Sequence, residues 1–140
     1  MAGVVLRSVE KFFGNDRIVK SINLTIRHGE FFSLLGPSGC GKTTTLRIIA
    51  GLETPSTGDV IIGNKRMNDT PINRRPTHLV FQKHALFPHL NVFDNIAFGL
   101  KLKRMSAKEI MRRVSDILDV VNLPGTENRS VAELSGGQQQ

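Results

Sequence analysis

The fold that we expect follows from one stretch of the sequence, which reads Phe31-Phe32-Ser33-Leu34-Leu35-Gly36-Pro37-Ser38-Gly39-Cys40-Gly41-Lys42-Thr43. Residues 31–35 are nearly all apolar, which is typical of a central parallel strand that is covered on both faces. Residues 42–50 then place Leu46, Ile49 and Ala50 on one apolar side, which predicts a helix that ends at Gly51. The order of strand, glycine-rich loop and helix predicts an α/β fold.

The glycine-rich part of this stretch matches the pattern Gly-x-x-x-x-Gly-Lys-Thr of a phosphate-binding loop, or P-loop. Glycines let successive backbone N–H groups point at phosphate oxygens, and the start of the following helix adds a positive partial charge. Lys42 would bring a full charge to the β- and γ-phosphates, and the Thr43 hydroxyl is an oxygen ligand suited to Mg²⁺. The motif therefore predicts a site for Mg²⁺-bound ATP.

Several residues of the loop are expected to contact the phosphates: Gly36, Pro37, Ser38, Gly39, Cys40, Gly41, Lys42 and Thr43. The alternative is a glycine-rich turn that contains lysine and threonine by chance. Cys40 is interpreted as a space-filling residue of the loop, and a reactive or redox role is the alternative.

The remaining elements alternate between strand and helix patterns. Residues 4–9 and 22–26 alternate apolar with polar side chains, which predicts antiparallel strands joined through a turn at Gly14-Asn15-Asp16. Further strands are predicted at residues 59–62 and 79–81, the second of them buried. Helices are predicted at residues 92–100 and 107–122.

The second of these helices has the clearer pattern. Ser106 is placed to cap it, with Glu109 as the reciprocal partner of a capping box, and Pro124-Gly125 follows its end. Its apolar side chains lie on one stripe of the helix, and we attribute this stripe to core packing. The stripe consists of Ile110, Met111, Val114, Ile117, Leu118 and Val121.

Composition limits the classes of protein that remain. The 140 residues are 39% hydrophobic and 22% charged, which is ordinary for a single globular domain. No apolar run approaches the roughly 20 residues of a membrane-spanning helix, and residues 1–4 do not resemble a signal peptide, so we expect a cytoplasmic protein. Cys40 is the only cysteine, which excludes an internal disulfide and a cysteine-based metal site.

The net charge of +7 raises the possibility of a nucleic-acid partner. Many of the basic residues lie between positions 101 and 113, around the start of one predicted helix. No aromatic residues are interleaved with these charges to stack on bases, so we interpret them as a solvated face and expect no nucleic acid.

A second motif, Leu134-Ser135-Gly136-Gly137-Gln138, distinguishes among the many classes of P-loop protein. Together with the P-loop it resembles the ATP-binding-cassette family, and the resemblance includes residues 49–52, 80–82, 85–89 and 95–100. Within that family the chain is similar to the ATPase subunits of importers for polyamines, maltose-type sugars and ferric iron.

The resemblance implies roles for further residues. Phe13 would stack on adenine, although it could instead pack within the small sheet, and Thr44 would contact the α-phosphate. Gln82 would contact Mg²⁺ and the attacking water, although a polar residue at the end of a strand is often only structural. Lys42 and Gln82 are the expected catalytic residues, and Thr43 and Gln82 the expected metal ligands.

The resemblance also implies partners. Ser135, Gly136, Gly137 and Gln138 would form a second phosphate cradle that closes on the ATP held by another nucleotide-binding subunit, in a dimer. The expected partners are that subunit, transmembrane permease subunits near residues 84–90 and, indirectly, a solute-binding protein. The expected location is the cytoplasmic face of the plasma membrane, as a peripheral protein.

The expected fold class is therefore α/β: a P-loop NTPase core with an antiparallel β subdomain and a helical subdomain, truncated after the signature motif. Residues 1–87 would hold the β subdomain and part of the core, and residues 88–140 the helical subdomain. The acidic strand and switch histidine of the family are not among the 140 residues. We therefore expect the apolar surface next to residues 31–35 to be exposed and the chain alone to be poorly stable and without appreciable ATPase activity.

The transported solute is the least determined prediction. Residues 85–89 and 138–140 favour a polyamine such as spermidine or putrescine, whereas residues 65–70 resemble sugar importers. Alternatives are a sugar or ferric-iron importer ATPase, a remnant without function, and a nucleic-acid-acting ATPase of the same family. Lys83-His84 replaces the small residue and tyrosine that are common after the glutamine, which affects only the expected membrane-subunit contact.

Overall fold

A computed structural model of the chain describes residues 3–81 and 85–140. The chain divides into two compact units, Met1–Val80 and Phe81–Gln140. The first unit contains strands β1 (Val4–Phe13), β2 (Asp16–Ile26), β3 (Thr57–Ile62) and β4 (Lys65–Arg66) and helix α1 (Lys42–Ala50). The second contains helices α2 (Val92–Leu102), α3 (Ala107–Val120) and α4 (Gly136–Gln139).

The four strands form one antiparallel sheet in the order β2-β1-β3-β4. Leu6 of β1 pairs with Leu24 on one side and with Val60 on the other. Gly58 lies close to the irregular part of β1, where a Cβ on Gly58 would be 2.3 Å from the Ser8 carbonyl oxygen. Only glycine fits this position, which also has a φ of +82°.

One face of the sheet packs against α1. The core consists of side chains that are at most 4% exposed, and Ile48 is the member that α1 contributes: Leu6, Val9, Val19, Ile48, Val60, Ile62 and Met67. The predicted hairpin, the strand at residues 59–62 and the helix at 42–50 are therefore confirmed. Gly51 ends α1 in a left-handed conformation, as expected from its position.

Two predicted buried strands are not strands in the structure: residues 31–35, which we expected to be a central parallel strand, and residues 79–81. Phe31 is 94% exposed, and Leu35 and Val80 are each 91% exposed. Within residues 3–81 and 85–140, no strand pairs with either segment, so their backbone groups form no ladder of hydrogen bonds. The strand prediction is wrong for this structure, whereas the expected exposure of the apolar surface is observed.

The second unit has its own core, formed where α2 and α3 pack together with Leu134. Both predicted helices are present, although α3 ends at Val120, two residues earlier than expected. Of the predicted apolar stripe, Ile110, Val114 and Leu118 are buried, while Met111, Ile117 and Val121 are at least 43% exposed.

The start of α3 also differs from prediction. The Ser106 side chain accepts a hydrogen bond from the Glu109 N–H, as expected of a cap. The Glu109 carboxylate does not return a bond to the backbone and instead accepts from Arg112 and Arg113. Arg112 and Arg113 are well placed to bind this carboxylate because they lie three and four residues further along the same helix. Of the helices that the structure describes, none is long and apolar enough to cross a membrane.

Candidate phosphate-binding site

The loop before α1 contains three glycines with positive φ angles. Gly36, Gly39 and Gly41 have φ angles of +155°, +80° and +89°. A Cβ on Gly36 would lie 2.8 Å from the Cys40 Sγ, and a Cβ on Gly41 would lie 2.7 Å from the Ile18 carbonyl oxygen. A side chain at Gly36 would therefore collide with Cys40, and one at Gly41 would collide with the backbone of β2.

Several backbone donors at the start of α1 have no partner among the residues that the structure describes. Gly41 is its N-cap and has no side chain to accept a hydrogen bond. The first helical bond is donated by the Thr45 N–H to the Gly41 carbonyl oxygen at 2.8 Å, and the buried Thr45 hydroxyl donates to the same oxygen at 2.9 Å. Among the described residues, nothing accepts from the N–H groups of Lys42, Thr43 and Thr44. Because the first turn contains no acidic residue, this helix start favours an anion.

The Lys42 ammonium lies over this loop. Its Nζ donates to the carbonyl oxygens of Gly36 and Pro37, each at 2.7 Å, and lies 3.4 Å from the Cys40 Sγ. No carboxylate of the described residues pairs with it, so its charge is available to an anionic ligand. The Thr43 side chain is exposed at the same helix start.

Cys40 is an exposed thiol in the same loop. Its sulfur occupies the space beside Gly36 that a side chain there would need. This contact supports the interpretation that Cys40 fills space within the loop.

Phe13 lies at the end of the β1–β2 hairpin, where it pairs with Asp16. Its ring is 46% exposed, and the Lys11 Nζ lies 4.9 Å from the ring centroid. Because Gly41 contacts the backbone of Ile18 on the same hairpin, the structure brings the P-loop to the strand pair that ends in Phe13. The exposed ring face is chemically suited to stacking on a purine.

The signature motif forms the start of α4 in the second unit. The Ser135 N–H donates to Gln138 Oε1 at 2.9 Å, and the Gln138 N–H donates to the Ser135 Oγ at 3.4 Å. Gly136 and Gly137 are exposed, with no atom within 4 Å of an added Cβ. The Ser135 hydroxyl therefore acts as a helix cap, and both glycines leave the adjoining backbone accessible.

Some predicted positions lie outside the described residues. These are Gln82, the expected Mg²⁺ and water contact, together with Lys83 and His84. Within residues 3–81 and 85–140, no three His, Cys, Asp or Glu side chains are grouped as a metal site. The exposed Thr43 hydroxyl at the loop is an oxygen donor of the type that Mg²⁺ prefers.

Arg75 contacts the helix that follows the phosphate-binding loop, and this role was not predicted from the sequence. Arg75 is buried, and its guanidinium donates to carbonyl oxygens of the last turn of α1. Nothing in the local pattern around Arg75 indicates this role, because the acceptors are backbone groups distant in sequence.

The glycine loop, the uncapped helix start and Lys42 together define a P-loop protein. The family model described as ABC transporter matches residues 19–140. The chain belongs to the ABC transporter family, which confirms the family and the fold class predicted from the sequence.

Curated relatives match almost the whole chain. It is 51% identical to the spermidine/putrescine import ATP-binding protein PotA of Acidothermus cellulolyticus, with 99% of this chain and 37% of the relative covered. It is 49% identical to the protein of that name from Thermotoga maritima, over 98% of this chain and 37% of the relative. For the Clostridium novyi protein, also so named, identity is 52%, over 98% of this chain and 40% of the relative.

Solved structures of a cassette of this family are also similar. A dimeric structure of the ATP-binding cassette MJ0796 bound to ADP and Pi superposes with a TM-score of 0.84 at 37% identity, covering 97% of this chain and 65% of the other. A second dimeric structure of MJ0796 gives the same TM-score and coverage at 36% identity. The chain thus spans about two fifths of the curated relatives and 65% of these cassette chains.

Proposed function

We propose that this chain is the nucleotide-binding part of an importer ATPase that binds Mg²⁺-ATP and couples its hydrolysis to solute uptake. The observation that carries the proposal is the helix start at Gly41, with free N–H groups and the Lys42 ammonium over one loop. These groups concentrate positive charge where a triphosphate tail would lie.

In this proposal each part of the nucleotide has its own contacts. The N–H groups of residues 36–44 and the Lys42 ammonium bind the phosphates, Thr44 contacts the α-phosphate, and Phe13 stacks on adenine. Thr43 and Gln82 hold Mg²⁺, which supplies charge neutralisation at the β- and γ-phosphates. Lys42 and Gln82 are the proposed catalytic residues of this chain.

The proposed partner is a second nucleotide-binding subunit whose signature motif faces the P-loop of the first. The MJ0796 cassette structures are dimeric, which supports a dimer of nucleotide-binding subunits in general. Permease subunits of the membrane, and through them a solute-binding protein, complete the proposed assembly at the cytoplasmic face. The proposed subdomain division is residues 1–87 and 88–140.

The proposed solute is a polyamine. The names of the relatives from three bacteria support it, since each is a spermidine/putrescine import ATP-binding protein. A sugar or ferric-iron importer is the alternative. For the 140-residue chain by itself, the absence of appreciable ATP turnover stays a prediction.

The function is tested by equilibrium binding of Mg²⁺-ATP to the chain and to Lys42→Ala. We expect this substitution to weaken binding about hundredfold, equivalent to about 2.7 kcal/mol. Lys20→Ala, which removes an exposed lysine of β2 with the same change in charge, should bind as the unchanged chain does. Equal binding by all three proteins, or no binding by the unchanged chain, would overturn the proposal.

A further inference from the structure

Arg75 is a buried cation whose hydrogen bonds to the described residues all go to backbone oxygens. The residue is 7% exposed, and its Nε donates to the Thr70 carbonyl at 2.8 Å. Its Nη1 donates to Ile48 and Ile49, at 2.8 and 3.1 Å, and its Nη2 donates to Met67 and Asn68, at 2.7 and 3.5 Å. Every nitrogen of the guanidinium therefore has at least one acceptor.

A buried charge without a carboxylate partner is normally destabilising. Here the acceptors include the carbonyl groups at the end of α1, where the helix dipole is negative. Burial lowers the pKa of Arg75 from its ordinary value, but a guanidinium remains protonated under physiological conditions. The cation is thus held by the last turn of α1 and by the loop that follows β4.

These contacts anchor the end of α1 opposite to the P-loop. Gly51 allows the Arg75 side chain to approach this closely, because a Cβ on Gly51 would lie 2.6 Å from the Arg75 Nε. At the other end of α1, the N-cap residue Gly41 lies against the Ile18 carbonyl of the hairpin. The helix of nine residues is therefore held at both ends, about 13 Å apart.

We propose that Arg75 is a positioning residue for the nucleotide site, which sets the orientation of α1 so that the P-loop and Phe13 can engage one nucleotide together. The inference rests on the proposed function, because it assumes that Phe13 and the P-loop bind two ends of the same ligand. A tilt of α1 would leave the loop itself intact and would change its distance from Phe13. Such a tilt would weaken binding of ATP more than binding of a phosphate chain alone.

The positioning role requires the branched guanidinium group of arginine. Lysine keeps the charge but has a single nitrogen with three donors, so it cannot join α1 to residues 67–70 through the same set of bonds. Arg75→Lys is therefore the informative variant. Arg74→Ala is the matched control, because Arg74 is the exposed neighbour in the same segment.

The experiment measures the affinity of each protein for Mg²⁺-ATP and for inorganic tripolyphosphate, at a temperature where far-UV circular dichroism shows it folded. We expect Arg75→Lys to weaken ATP binding about tenfold and to leave tripolyphosphate binding unchanged. Phe13→Ala should weaken ATP binding less in the Arg75→Lys background than in the unchanged chain, because the two effects share one cause. Arg74→Ala should match the unchanged chain in both measurements.

The outcomes separate this inference from the proposed function. If the unchanged chain binds ATP and Lys42→Ala does not, but Arg75→Lys binds normally, the inference alone is overturned. Equal losses for ATP and tripolyphosphate, or additive effects of the Phe13 and Arg75 substitutions, also overturn it. If Arg75→Lys is unfolded at every temperature while Arg74→Ala is folded, Arg75 is only structural. Failure of the unchanged chain to bind ATP overturns both proposals.

Discussion

Apolar residues lie on both sides of the phosphate-binding loop, but they differ in how they are packed. Upstream, residues 31–35 belong to no strand or helix, and Phe31 and Leu35 are more than 90% exposed. Downstream, α1 places Ile48 at 0% exposure in the core of the antiparallel sheet. The difference shows that apolar side chains become buried only where another element covers them, since the gain depends on the area removed from water.

This comparison also explains why the helical side of the loop carries the candidate site. The Gly41 backbone rests on β2, and the far end of α1 is bonded to Arg75. The groups that could bind phosphate therefore belong to an element held by the sheet and by Arg75. We expect stability and ligand binding to depend on the residues of α1 more than on residues 31–35.

The largest effect is expected from removing a buried side chain of α1. Ile48→Ala should lower the free energy of unfolding by about 3 kcal/mol, because it deletes buried methylene groups and leaves a cavity. Leu35→Ala is the matched upstream variant, and its effect should be within about 0.5 kcal/mol because that side chain is exposed. Urea unfolding of the two variants measures the difference, and equal destabilisation would contradict the comparison.

A smaller effect is expected from the exposed ion pairs of α3, in contrast to the buried cation at Arg75. Hydrogen bonds from Arg112 and Arg113 lower the pKa of Glu109 from 4.5 to about 2. A lowered pKa in the folded state means that the pairs stabilise the fold above pH 4.5, and that this contribution is lost as pH falls from 4.5 to about 2. The contribution should be small because these side chains are exposed and screened by salt.

Two measurements check the behaviour of Glu109. Carboxyl titration by NMR should place its pKa near 2, and a midpoint near 4.5 would contradict the ion pairs. Glu109→Gln should slightly lower the melting temperature at neutral pH, and this difference should disappear in acid. If the difference in melting temperature persisted below pH 2, the effect of Glu109 would not come from its charge.

Local patterns were sufficient for much of the fold and of the candidate site. The hairpin, α1 with its end at Gly51, the two longer helices and the glycine-rich loop all depend on residues close together in sequence. The segments at 31–35 and 79–81 were wrongly predicted as strands, because a strand also needs a neighbour that local periodicity does not reveal. Arg75 was missed for a related reason, since its acceptors on α1 lie 27 and 26 residues away in sequence.

The central claim is that the loop from Gly36 to Thr43 binds the phosphate tail of a nucleotide, and the affinities of the chain for AMP, ADP and ATP with Mg²⁺ test it most directly. Because the free N–H groups at the start of α1 and the Lys42 ammonium would contact the β- and γ-phosphates, affinity should rise with each added phosphate. This rise in affinity with added phosphates should be largely lost in Lys42→Ala. Equal affinity for AMP and ATP in the unchanged chain would contradict the account.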